Sequence, residues 1–200
     1  VFDKKTGNFI SEINTQAMFA FHHINAFEGK DGLINLYLSA SDNADLVVKV
    51  GETETKYGHV QLQKMVIDLN KSSIDIICLS KESYELPSIK ENLVGRENQY
   101  FYAVWFNALG NKKGSGLAKY DIKNNKTNHW LHEGLSPGEP LFVSNPSAKN
   151  EDDGVILSVV YDKSNKEGFL VIIDAHSMKE LARAKMPQAL PIGFHGRFIK

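Results

Sequence analysis

Seven histidines, at positions 22, 23, 59, 129, 132, 176 and 195, are the side chains of this sequence best suited to ligand or proton chemistry near neutral pH. His22 and His23 lie in the apolar run MetPheAlaPheHisHisIleAsnAlaPheGlu, and His195 lies in ProIleGlyPheHisGlyArgPhe. His59, His129, His132 and His176 stand in polar surroundings and read as surface or strand-face residues. Two glutamates sit just ahead of prolines near expected strand starts: Glu85 in TyrGluLeuProSerIle and Glu139 in ProGlyGluProLeuPhe. Taken in order, His22, Glu85, Glu139 and His195 are separated by 63, 54 and 56 residues. Each interval is near the length of one propeller blade, and equivalent positions on successive blades point at a common axis. Two imidazoles and two carboxylates converging there would suit a metal, because a ligating histidine commonly donates its other ring N–H to a carboxylate or carbonyl. Alone, each histidine is more often a core residue with a satisfied hydrogen bond, and each glutamate a solvated strand end; the shared spacing favours the axial reading. His22 and His23 are strand neighbours pointing to opposite faces, so one of them shares a site with His195, and spacing does not choose between them.

The elements that would carry these residues are short and β-like. Twelve apolar runs, beginning at Gln16–His22 and ending at Phe194–Ile199, are rich in Val, Ile, Phe and Tyr, and several alternate apolar with polar residues. The gaps carry Asp-Gly, Asn-Asn, Gly-Asn and Ser-Asn turn chemistry. Hairpins are expected over 117–130 and 155–174, and His176–Ala184 reads as a turn leading into a strand. Residues 150–154 (AsnGluAspAspGly) lack the alternating ligand spacing of a calcium loop and read as a turn. Residues 112–116 (LysLysGlySerGly) lack a phosphate-loop ending and read as a solvated turn. At four strands per blade, the runs make an all-β chain of roughly three blades.

Composition sets the outer limits. In 200 residues, 42% apolar content is enough for a core, and a net charge of −1 leaves no basic excess for nucleic acid. No apolar stretch approaches the ~20 residues needed to span a bilayer. The single cysteine, Cys78, excludes an internal disulfide and, within the run Ile74–Leu79, reads as a buried structural thiol. The start, ValPheAspLysLysThrGlyAsnPhe, is neither a signal peptide nor a methionine start and reads as the interior of a longer protein.

Five motifs, in this order, resemble the carotenoid oxygenase family, which includes carotenoid cleavage dioxygenases and a retinoid isomerohydrolase. They are 21–28 (PheHisHisIleAsnAlaPheGlu), 84–89 (TyrGluLeuProSerIle), 139–159, 172–184 and 193–198 (GlyPheHisGlyArgPhe). The resemblance implies a seven-bladed β-propeller, of which residues 1–200 form the C-terminal part of a single domain. It implies that His22 and His195 ligate Fe(II), that Glu85 and Glu139 accept hydrogen bonds from the ring nitrogens of ligating histidines, and that Phe194 lines a substrate tunnel. By blade adjacency Glu85 would orient His22 and Glu139 would orient His195. The family's two other iron-binding histidines have no counterpart here, and Tyr37 stands where an acidic residue is often found. The implied reaction is cleavage of a carotenoid or apocarotenoid double bond by dioxygen, with retinoid isomerohydrolysis or a non-catalytic binding propeller as alternatives. The implied setting is intracellular, cytoplasmic or peripheral to a membrane touched by the missing N-terminal part, the organelle being illegible; no nucleic acid partner is expected.

Overall fold

The protein is described by a computed structural model covering residues 1–44, 60–106, 115–188, 190 and 193–199. Three antiparallel sheets follow one another along the chain. The first runs β1 (Phe19–Glu28), β2 (Ile34–Ser41), β3 (Gln61–Asp68), β4 (Ser73–Ser80), each strand paired with the next. The second runs β5 (Ser83–Ser88), β6 (Tyr100–Phe106), β7 (Ser115–Asp121), β8 (Lys126–Trp130). In the third, a short β9 (Leu135–Pro137) precedes β10 (Leu141–Ser144), β11 (Gly154–Asp162), β12 (Glu167–Asp174) and β13 (Glu180–Lys185). The all-β expectation holds, as do both hairpins and the turn into β13.

The middle sheet is buried on both faces, and β6 shows why its run, TyrPheTyrAlaValTrpPhe, is apolar throughout. Phe101, Ala103 and Trp105 alternate toward Ile24, Phe27, Tyr37 and Leu62 of the first sheet. Tyr102 and Val104 point the other way, toward Ile156, Val160, Val171 and Ile173 of the third. Full burial of such side chains contributes about 1.5–3 kcal/mol each, so sheet-against-sheet packing is the dominant source of stability. Tyr37, at the departure from the family pattern, is buried and stacks on Phe27 with ring centroids 6.2 Å apart.

Polar clamps line the same seams. Asn25 on β1 donates to the carbonyls of Leu93 and Arg96 and to Asn98, and accepts from the Gly95 N–H, tying the β5–β6 connection to the first sheet. Residues 150–153 form the expected turn, with Asp153 accepting the Asn150 and Lys149 N–H groups, and its other two acids reach across to the second sheet. Glu151 accepts the backbone N–H of Gln99 and of Tyr100. Asp152 forms a buried ion pair with Lys119 at 2.5 Å and accepts from the His176 ring at 2.9 Å.

Three expectations fail. Cys78 is exposed, not buried. Ile74 and Ile76 turn inward from β4, but a register shift opposite Leu62 and Gln63 breaks the alternation and leaves Ile77 and Cys78 both facing out. The run Phe194–Ile199 forms no strand, because no described strand lies alongside to share a ladder; Gly196 N–H instead donates to Glu139. Residues 112–116 are not wholly a turn: Ser115 and Gly116 open β7, while 112–114 lie outside the described residues. Conversely, no apolar run announced β5 or β9, since one carries Pro87 and the other has three residues.

Candidate metal centre

The site begins with an interrupted ladder. On β1 the register shifts between Phe19 and His22 and again between His23 and Asn25, so irregularities flank the histidine pair on both sides. Bulges of this kind bend a strand and re-aim its side chains. His22 donates from Nδ1 to Glu85 Oε2 at 2.6 Å, while His23 is exposed and takes no part. The structure thus makes the choice that spacing left open. Glu85 is presented by a second irregularity, on β5 between Glu85 and Ser88 opposite Val104 and Tyr102. Leu86, directly after it, sits at φ +54°, a left-handed conformation costing a non-glycine residue on the order of 1–3 kcal/mol.

Glu139 is presented by a broken strand. β9 pairs with β11 at Val160–Asp162 and β10 pairs with it at Gly154–Leu157, leaving Gly138–Pro140 unladdered between them. There the Gly138 N–H donates to the Val159 carbonyl at 2.8 Å. One oxygen of Glu139 accepts from His195 Nδ1 at 3.1 Å, and the other accepts the Gly196 N–H at 2.6 Å. Glycine suits position 196, because a Cβ would stand 3.3 Å from Leu141 Cδ1.

The two histidine–glutamate pairs meet. The rings of His22 and His195 lie 5.4 Å apart between centroids, inclined at 71°. An ionised carboxylate only accepts hydrogen bonds, so each Nδ1 carries a proton, and in a neutral ring that leaves the lone pair on Nε2. With metal–nitrogen bonds of about 2.0–2.1 Å, a ring centroid stands about 3.2 Å from its ion, and two rings sharing one ion are at most about 6.4 Å apart. The observed separation and donor set therefore fit a shared divalent cation. No group of three or more metal-binding side chains gathers among the described residues, so these residues supply two imidazoles. Burial pushes the Glu85 carboxyl up from its ordinary pKa, and the bond and charge of His22 oppose that rise. Phe194 is 74% exposed beside His195, with ring centroids 6.2 Å apart. It joins Leu141, Leu157, Val159, Leu170 and Phe198 around a largely apolar cleft.

The remaining histidines do other work. His129 and His132 are exposed on or after β8 and pack their rings on Trp105 and Trp130. His176 is exposed and completes the Asp152 cluster; His59 lies outside the described residues. Sequence reasoning missed the Asp152 cluster, whose one legible sign was a lysine, Lys119, set inside the apolar run LeuAlaLysTyr.

Comparison with known proteins places the whole assembly. The sequence profile of the retinal pigment epithelial membrane protein family matches residues 1–200. Carotenoid cleavage dioxygenase 8, chloroplastic, of Arabidopsis thaliana is 30% identical over 100% of this chain and 38% of its own length. Beta,beta-carotene 15,15'-dioxygenase of Mus musculus is 32% identical over 92% of this chain and 38% of its own. The crystal structure of cobalt-substituted Synechocystis ACO superposes with a TM-score of 0.89 and 27% identity, over 98% of this chain and 42% of that one. The chain therefore spans about two fifths of the length of these relatives, and its three sheets match the propeller structures. No helix among the described residues is long and apolar enough to cross a membrane. With a profile match from end to end, motifs in family order and the same sheets in space, the chain belongs to the retinal pigment epithelial membrane protein family, the carotenoid oxygenases.

Proposed function

We propose that this chain contributes half of an iron(II) centre to an enzyme that cleaves a carotenoid or apocarotenoid double bond with dioxygen. The observation that carries the reading is the meeting of two carboxylate-locked imidazoles, His22 with Glu85 and His195 with Glu139, at 5.4 Å. Relatives named carotenoid cleavage dioxygenase and carotene dioxygenase supply the substrate class.

His22 and His195 would hold the ion through Nε2, with further donors coming from residues outside these 200. When bound, iron(II) supplies the redox chemistry that adds dioxygen across one polyene double bond, giving two aldehyde or ketone products that take one oxygen atom each. Glu85 and Glu139 keep the proton on each Nδ1 and fix the plane of each ring. Bonded to the histidines and not to the ion, both would leave the donors that this chain supplies neutral. Phe194 offers apolar surface beside His195 for a polyene, and the protein's main contribution is to position one double bond at the centre. Such substrates dissolve in bilayers, so loading from a membrane surface goes with this reading.

The test uses the full-length protein, loaded with ferrous iron and incubated with β-carotene or an apocarotenal in micelles under ¹⁸O-labelled dioxygen. Cleaved products carrying label in each carbonyl support the reading. Isomerised retinol from a retinyl ester, without cleavage, would replace it with an isomerohydrolase. Failure to bind iron would leave a binding propeller.

A further inference from the structure

We infer that two buried serines, Ser39 and Ser158, are positioning residues for the centre, each clamping the backbone carbonyl immediately ahead of a histidine-orienting glutamate. The inference rests on the metal-centre reading above and extends it by one residue on each side. Ser39, on β2, is 1% exposed, and its Oγ donates to the carbonyl of Tyr84, the residue before Glu85. Ser158, on β11, is 2% exposed, and its Oγ donates at 2.9 Å to the carbonyl of Gly138, the residue before Glu139.

The two clamps reach the same relative position by different routes. Ser39 crosses from the first sheet to the inner edge strand of the second, whereas Ser158 acts within the third sheet. Both act close to an interruption of the regular ladder: Ser39 on the last regularly paired residues before the register shift that follows Glu85, and Ser158 at the gap between β9 and β10. Gly138 lies where no strand pairing fixes its orientation, Tyr84 lies on an edge strand paired on one side only, and the peptide ahead of a glutamate sets the direction of its Cα–Cβ bond. Ser39 is also the register partner of His22, so one side chain sits beside the ligand and fixes the acid that orients it. Both serines interrupt apolar runs, LeuTyrLeuSerAla and IleLeuSerValVal, where a buried hydroxyl must find a partner. A duty confined to satisfying that hydroxyl would not predict the repeat at the residue before each glutamate.

The experiment measures cobalt(II) affinity and the visible d–d spectrum of the full-length protein alongside its melting temperature. S39A and S158A are expected to weaken cobalt binding by about 3–10-fold and to broaden the d–d band, a smaller loss than the 10–100-fold typical when a direct orienting partner is removed. S39T and S158T, which keep the hydroxyl, should recover affinity. S39C and S158C, close in volume but weak donors, should resemble the alanine variants and serve in their place if those do not fold. Y102F is the control: it removes a buried hydroxyl-to-carbonyl bond, to Ala175, in the core between the second and third sheets. It should lower the melting temperature and leave cobalt affinity and spectrum unchanged. Wild-type affinity and spectrum in S39A and S158A, with binding lost in E85A and E139A, would overturn the clamp alone. A wild-type protein that binds no cobalt would overturn the centre itself and the clamp with it.

Discussion

Replacing Glu139 by glutamine should weaken metal binding more than the same change at Glu85, although both substitutions preserve shape. Glu139 uses both oxygens, one for the His195 ring and one for the Gly196 N–H. A glutamine has one acceptor oxygen and one amide nitrogen that only donates. In either orientation its NH₂ group meets a donor, at a position where the closer partner now stands 2.6 Å away. One of the two bonds must be given up. A hydrogen bond to a charged group contributes about 1.5–3 kcal/mol. His195 is more than half exposed, so water returns part of this and the net loss is about 1.4–2 kcal/mol, or 10–30-fold in metal Kd. Glu85 has one close donor, His22, and the pull of the adjacent Leu86 N–H is the weakest acting on its carboxyl. A glutamine there turns its oxygen to the ring and loses only charge assistance, about 1 kcal/mol and roughly fivefold. Chelator competition with ferrous or cobalt-loaded full-length protein measures both constants. Equal effects, or a larger loss in E85Q, would refute reasoning from acceptor count.

Other consequences are equally direct. H22A should abolish metal retention while H23A leaves metal content unchanged, since only the first ring faces Glu85 and His195; metal analysis after gel filtration reads both. D152N should destabilise the protein by about 3–5 kcal/mol, because it strands the buried Lys119 ammonium, and the double change K119M/D152L should cost less than the sum of its parts in urea unfolding. Burial would raise the Asp152 carboxyl, but the bond and charge of Lys119, helped by His176, win and hold it below its ordinary pKa of 3.8. Its stabilisation is therefore complete above that ordinary value and is lost as pH falls through the lower folded-state value. Acid titration of unfolding should show a shallower low-pH limb in D152N than in the wild type.

Much of this architecture was legible in short apolar runs, because a strand buried on both faces, such as β6, cannot hide its composition. Spacing also singled out His22, Glu85, Glu139 and His195, the four side chains that the structure gathers, since a blade of near-constant length brings equivalent positions to one axis. What spacing could not show was local geometry. The choice between His22 and His23 depends on register shifts that consume one residue without leaving a compositional mark. The same blindness explains Cys78, placed inside by alternation and turned out by the irregularity opposite Leu62 and Gln63. The turn at 150–154 was legible but the work of its acids was not, because their partners, Gln99, Tyr100 and Lys119, lie on or beside the strands of another sheet.

Those cross-sheet partners say how the centre is assembled. Glu85 stands on the second sheet and His22 on the first; Glu139 stands in the third, and His195 arrives from the segment that follows it. No sheet carries both members of a pair, so neither pair forms until neighbouring elements have packed. The apolar seam between the first two sheets, with Phe101 and Tyr84 at its heart, thus fixes the distance between ring and carboxylate as well as the stability of the fold. Large-to-small changes there, such as F101A, remove a fully buried ring and cost about 3–5 kcal/mol. They should also loosen His22 against Glu85 before the protein unfolds, so metal affinity should fall at temperatures where the sheets are still intact by circular dichroism. A change of comparable cost in the separate apolar cluster of the first sheet, such as M65A, should leave that affinity in place. Metal binding that tracked global stability alone, whichever cluster was weakened, would mean that the centre is positioned by the fold as a whole and not by the seam it sits on.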